Sequence, residues 1–209
     1  MRFDNTNNMK NYSGQKMSLG KRILLSIGLA TAVAANQGCV QGTVIPEVGY
    51  HQSTNQRGGY VEFEPGIVYG IKTGIKTSKG IEAKIEYETY DTVYKDEFQR
   101  NDLTARDLSA SISVPLYDNG RVSVQVKGRI TARTEDESAE SVVIPGLKLG
   151  EDSRTSTGFG VGVAVEGKVG PGNLGGEIMA ESFSDGSYEK SGWKAKVFYK
   201  VFISPVKRK

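Results

Sequence analysis

The sequence predicts an all-β fold, an eight-stranded antiparallel up-and-down β-barrel that spans a membrane. Three observations predict it. From about residue 44 to residue 203 the chain runs in eight stretches of apolar/polar alternation; one of the two resulting faces carries no ionisable side chain; and every second connection is long. In the run 120–131 the even positions are Val122, Val124, Val126, Gly128 and Ile130, and the odd ones are Arg121, Ser123, Gln125, Lys127 and Arg129. A period of two is the signature of a strand.

Composition is silent on the membrane. With 209 residues, 37% hydrophobic, 24% charged and a formal charge of +3, the chain has the profile of an ordinary single-domain globule. A spanning strand hides its lipid face between polar residues, so no long apolar run is needed. The positive charge is spread along the chain rather than gathered with stacking aromatics, which excludes nucleic acid as a partner.

The N-terminal part is expected to be an extension and signal peptide over 1–35, with a single barrel domain over 36–209. Lys21 and Arg22 precede the apolar segment from Ile23 to Ala35, which ends in the small residues Ala32, Val33, Ala34 and Ala35. That segment is too short for a spanning helix, which needs about 20 residues; a buried core helix is the alternative. Cys39, the only cysteine, follows. Of the residues before it only Gly38 fits a lipid-attachment pattern, so an ordinary unpaired thiol is expected.

The strands are expected at 44–52, 60–72, 80–90, 107–117, 121–131, 157–169, 173–183 and 191–203. Their lengths suit strands tilted across a hydrocarbon layer. Tight turns are expected where Asn119-Gly120 and Gly170-Pro171-Gly172 supply positive φ cheaply, and around Thr77 to Gly80. The joins 53–59, 91–106, 132–156 and 184–190 are longer and polar, which puts all long loops at one end of a barrel. Val142 to Leu149 is expected to extend as a small hairpin beyond the membrane, a ninth strand being the rival reading.

The uncharged face includes Val48 and Tyr50 in the first run, Val61, Phe63, Ile67, Tyr69 and Ile71 in the second, and so on to Trp193, Val197, Val201 and Ile203 in the last. The opposite face holds ten acids, Glu47, Glu62, Glu64, Glu82, Glu86, Glu88, Asp107, Glu166, Glu177 and Glu181. Nine bases accompany them: Lys72, Lys84, Arg121, Lys127, Arg129, Lys168, Lys194, Lys196 and Lys200. All of these except Glu47, Asp107 and Arg121 are assigned to the lumen as structural charges. A lysine or arginine facing lipid at mid-bilayer costs about 2–4 kcal/mol, so in a membrane only the apolar-out phase is tenable. Small residues such as Gly70, Ser109, Ser111, Gly158, Gly162 and Gly175 share the charged face, as a narrow lumen filled by long side chains requires. Tyr50, Phe63, Tyr87, Phe159 and Trp193 fall near the long-loop end, where an interfacial girdle belongs.

On signal segment, strand count, loop alternation and face chemistry, residues 43–204 resemble the small eight-stranded outer-membrane barrels, the OmpA-type and opacity-protein-like family. The resemblance implies outer-membrane lipid as the surroundings and the barrel-assembly machinery as a partner during biogenesis. Members of that family end on an aromatic residue, whereas this chain continues past Phe202 to Lys207, Arg208 and Lys209.

No catalytic set, metal site or cofactor is expected. His51 is the only histidine; it is placed at the barrel mouth near Ser53 and Asp91, where lipid-modifying barrels carry a histidine and a hydroxyl, but spacing alone places no base within reach of a nucleophile. One histidine and one cysteine do not build a zinc set. The glycines of Gly158-Phe159-Gly160-Val161-Gly162 lie inside an alternating strand and not at a strand-to-helix turn, so they are not a nucleotide fingerprint. The expectation is a non-enzymatic barrel with a closed, charge-paired lumen and a structural, adhesive or partner-binding role through its loops. An exported, soluble, lipocalin-like barrel around a small apolar ligand is the alternative.

Overall fold

Among the described residues the alternation folds into nine β-strands: β1 (Gln41–Asn55), β2 (Val61–Glu62), β3 (Gly66–Lys76), β4 (Glu82–Lys95), β5 (Gln99–Asp118), β6 (Val122–Ser141), β7 (Lys148–Val169), β8 (Gly172–Ser184) and β9 (Glu189–Ile203). These come from a computed structural model that describes residues 41–55, 61–62, 64–95, 98–144, 146–184 and 189–203. The expected signal segment, Cys39, Phe63 and the tail after Ile203 lie outside the described residues, as does the Glu62 side chain. Each strand from β3 to β8 pairs antiparallel with its successor, β3 pairs with β1, and β1 pairs with β9 to close the barrel. The two-residue β2 pairs only with Thr54 and Asn55 at the end of β1, so eight staves form the wall.

Closure removes the open edges that an unpaired sheet would leave. The β1–β9 ladder runs from Gly42 opposite Ile203 to Asn55 opposite Lys190 and skips Ile45 and Pro46. Proline has no N–H to give to a ladder, which accounts for the gap. A second irregularity lies between Pro115 and Tyr117 in β5, where the register against β6 shifts at a bulge.

The short connections form as their residues dictate. Gly120 sits at φ +78° and Gly80 at φ +80°, left-handed values that a side chain disfavours. In the first of these turns the Gly120 N–H donates to Asp118 Oδ1 at 2.8 Å, and the Val122 N–H donates to Asn119 Oδ1 at 2.8 Å.

Two of the expected long loops are mostly strand. β5, β6 and β7 run for 20, 20 and 22 residues, so much of 91–106 and 132–156 continues the wall past the expected boundaries. Inward parity persists there, with Asn101, Leu103, Ala105, Arg133 and Glu135 buried. Outward positions turn polar, however, as at Arg100, Asp102, Arg106 and Asp136, and the apolar/polar contrast that marks a strand disappears. Val142 to Leu147 is the tip of the β6–β7 hairpin and not a ninth stave. The Ser141 N–H donates to Leu147 O at 2.9 Å, and the Val142 N–H donates to Phe98 O at 2.9 Å, tying the two long-loop tips together.

The wall is inverted relative to a soluble protein. Ile67, Ile112, Val161, Ile178 and Val197 on the outer face are all more than half exposed, while Glu86, Glu88, Lys194 and Lys200 on the inner face are 0% exposed. On β6 the uncharged outer run from Val122 to Ile130 covers about 20 Å of height, given roughly 3.4 Å per residue and a tilt near 40°. Tyr50 and Trp193 lie on its long-loop margin with ring centroids 5.8 Å apart.

Candidate functional site

Inward parity on adjacent staves, with the close spacing of a narrow barrel, drives long charged side chains into one another's reach. Among the described residues nine buried acids face nine buried bases. Removing an ion from water costs several kcal/mol, and close, multiply hydrogen-bonded partners offset that cost.

At the short-turn end Glu82 receives Lys84 at 2.6 Å and Lys200 at 2.7 Å. Lys200 also meets Glu166, which accepts from the Asn173 amide at 3.2 Å. In the middle Lys127 bridges Glu86 at 2.6 Å and Glu177 at 3.1 Å, linking β6 to β4 and β8 across the lumen. Lys72 reaches Glu47 at 2.6 Å and Glu177 at 3.0 Å, and Lys196 reaches Glu88 at 2.5 Å and Glu177 at 2.9 Å. Arg129 contacts Glu88 at 2.5 Å, Glu86 at 3.3 Å and also Glu181. Nearer the long-loop end Lys194 lies 2.6 Å from Glu88 and 2.7 Å from Asp107, and Lys190 lies 2.7 Å from Glu135. Arg133 holds Asp107, and its guanidinium carbon lies over the Phe183 ring, 3.5 Å from the centroid.

The charges assigned to the lumen from sequence divide into those inside this cluster and those outside it. Lys72, Glu82, Lys84, Glu86, Glu88, Lys127, Arg129, Glu166, Glu177, Glu181, Lys194, Lys196 and Lys200 are all buried. Glu64 and Lys168 are exposed and so stand as corrections. Glu64 precedes Pro65 outside any strand, and Lys168 lies at the last turn of the ladder, where the lumen opens to solvent. Glu47 and Asp107, read on the charged face but not assigned to the lumen, are buried too, as are Arg133, Glu135 and Lys190, which the sequence reading did not name. The last three stood in or beside expected loops; continuing the parity of β6 past Thr131 is the signal that finds Arg133 and Glu135.

Small residues fill the space between these groups. A Cβ on Gly70 would lie 2.7 Å from Glu47 Oε1, and one on Gly175 would lie 2.5 Å from the Phe198 ring.

His51 is buried within β1 and not at a loop end, its ring 4.1 Å from that of Tyr90. Asp91 is exposed and accepts from Thr104 Oγ1 at 2.7 Å, so the considered pairing with His51 does not form. Carboxylate oxygens of Glu47, Glu86 and Glu88 come within 4.8 Å of one another, but Lys72, Lys196 and Arg129 already neutralise them.

Beyond the uncharged belt, Asp136 accepts from Ser153 Oγ at 2.7 Å and from Arg106 Nη1 at 2.6 Å. These two bonds, the serine's first, hold its carboxyl below the ordinary aspartate range.

A closed eight-stranded antiparallel wall with an apolar outer face is the fold shared by a class of small barrels found in outer membranes. In that class the chain is similar to Neisserial surface protein A, at 14% identity with a TM-score of 0.57, covering 78% of this chain and 99% of that one. It is also similar to Ail, the attachment invasion locus protein of Yersinia pestis, at 15% identity with a TM-score of 0.53, covering 77% and 98%. A further structure of Ail, in complex with the heparin analogue sucrose octasulfate, aligns with a TM-score of 0.52 and 15% identity over 77% of this chain and 98% of that one. At these identities the likeness establishes the fold. No protein-family model and no curated protein sequence matches the chain.

Proposed function

We propose that this chain is a non-enzymatic outer-membrane barrel whose lumen is closed by its own ion pairs and whose long-loop end serves a structural, adhesive or partner-binding role. The inverted wall carries the reading. An uncharged outer face suits hydrocarbon, and equal numbers of buried acids and bases suit a filled interior with no net charge. A lipocalin-like carrier needs an apolar centre for its ligand, and the centre here is occupied by charged side chains.

The projecting end supports the partner-binding part. β5, β6 and β7 rise about 25 Å past the belt at roughly 3.4 Å per residue. At their tip Phe98, Val143, Ile144 and Leu149 are each more than half exposed, an apolar group that the belt does not require.

Fractionation tests the placement. The protein is expected to pellet with outer membranes and to show heat-modifiable gel mobility; release by periplasmic shock without detergent overturns the reading. Replacing Val143 and Ile144 by serine is expected to leave folding intact while weakening attachment of cells that display the barrel to their target surface.

A further inference from the structure

The interior charges do not balance evenly along the barrel axis. At the short-turn mouth, a concave space of ≈470 Å³ opens between the β5–β6 and β7–β8 turns and the ends of β1 and β3. Of its two acids, Glu166 is paired with Lys200, while Asp118 accepts from the Gly120 N–H at 2.8 Å and keeps its single negative charge. Lys76, Arg121 and Lys168 line the same space. The Lys76 ammonium is 3.8 Å from Glu82, a carboxylate that Lys84 and Lys200 approach more closely, at 2.6 and 2.7 Å. Among the described residues neither Arg121 nor Lys168 has an ion pair or a side-chain hydrogen bond. Both are exposed, yet their inward parity with Ser123 and Glu166 directs them at the mouth rather than at the outer face.

We propose that this mouth is a binding site for an oligovalent oxyanion, carrying phosphate or carboxylate groups, presented on the side of the barrel faced by the short turns. Three cations around one concavity raise the local concentration of anions. The guanidinium fork of Arg121 matches two oxygens of a phosphate or carboxylate, while Lys76 and Lys168 act as point charges. The Ser123 hydroxyl lines the space as a further donor. The volume exceeds one phosphate and falls in the range of about 300–1,000 Å³ typical of small-molecule sites. Polar surface predominates in the lining, which disfavours an apolar ligand. A free phosphorylated or carboxylated molecule and an anionic lipid headgroup bent in from the rim share this chemistry.

The test is an amide NMR titration of the purified full chain in zwitterionic detergent with tripolyphosphate as the probe. Saturable shifts are expected at the amides of Arg121, Ser123, Lys168 and Asn173. Affinity is expected to fall about tenfold in Lys168→Gln and again in Arg121→Gln, and to weaken between about 20 and 300 mM salt. Lys79→Gln, in the neighbouring turn, is expected to leave it unchanged. Repeating the titration in phosphatidylcholine nanodiscs with and without phosphatidylglycerol separates the sources: competition by the anionic lipid assigns a headgroup, and its absence assigns a soluble ligand. Shifts that are missing at millimolar tripolyphosphate, or that map to the long-loop end, overturn the proposal, as does unchanged affinity in the folded double variant. The wild-type map decides the matter even where a variant does not fold.

Discussion

Arg133 holds Asp107 through two parallel hydrogen bonds, Nε to Oδ1 at 2.7 Å and Nη2 to Oδ2 at 2.8 Å, with both side chains buried. Lys194 shares the same carboxylate at 2.7 Å. Asp107→Ala therefore takes a close partner from two cations at once, leaving Arg133 with Glu181 at 3.4 Å and Lys194 with Glu88 at 2.6 Å, whereas Arg133→Met leaves the carboxylate with Lys194. The aspartate variant is expected to lose about 3–5 kcal/mol of folding stability and the arginine variant less. Urea unfolding in detergent micelles measures both; the reverse order shows that the pairs do not share their energy in this way.

An interior closed by ion pairs conducts poorly. Wild-type protein in planar bilayers is expected to give no large steady conductance, because Lys127, Lys72 and Lys196 converge on Glu177 across the lumen at 2.9–3.1 Å. A stable channel on the order of nanosiemens contradicts the plug, since it needs a continuous aqueous path of the kind that larger barrels enclose.

The belt has its own test. Val126 lies midway along the uncharged run of β6, and Val126→Arg is expected to cost about 2–4 kcal/mol in a lipid-embedded barrel. Val143→Arg, on the hairpin tip, is expected to stay within about 0.5 kcal/mol, as surface changes do. Equilibrium unfolding from lipid vesicles compares the two, and equal, small effects are inconsistent with a membrane-facing belt.

Glycines on the two faces are expected to respond oppositely to alanine. A Cβ on Gly175 meets the Phe198 ring at 2.5 Å and Val165 O at 2.7 Å, while one on Gly128 has nothing within 4 Å. Gly175→Ala is expected to lose about 1–3 kcal/mol through overpacking. Gly128→Ala is expected to gain up to about 1 kcal/mol by restricting the unfolded chain. The difference in urea midpoint reads this directly.

Strand identity and facing were legible wherever the two faces differed in chemistry. Val122 to Ile130 against Arg121 to Arg129 needed no neighbour to be read, because a two-residue period sorts side chains before any packing occurs. Past Ala132 the outward residues become as polar as the inward ones, so β6 looked like a loop and Arg133 and Glu135 went unassigned. His51 already stood inside the expected strand 44–52; what the sequence did not show is its burial, which comes from neighbouring staves such as β4 with Tyr90.

The sequence by itself determined that an uncharged face and a charged face exist, which residues occupy each, and that tight turns alternate with long excursions. These follow from local periodicity and from backbone preferences at single glycines. Only the tertiary structure decided which charge meets which, because partners such as Lys196 and Glu88 are separated by 108 residues and are brought to 2.5 Å by closure of β1 onto β9. Among the described residues, the same closure leaves the side chains of Arg121 and Lys168 outside the ion-pair network at one mouth. Periodicity sets direction along a strand, while distance across a lumen is set by register and curvature, which no single strand encodes.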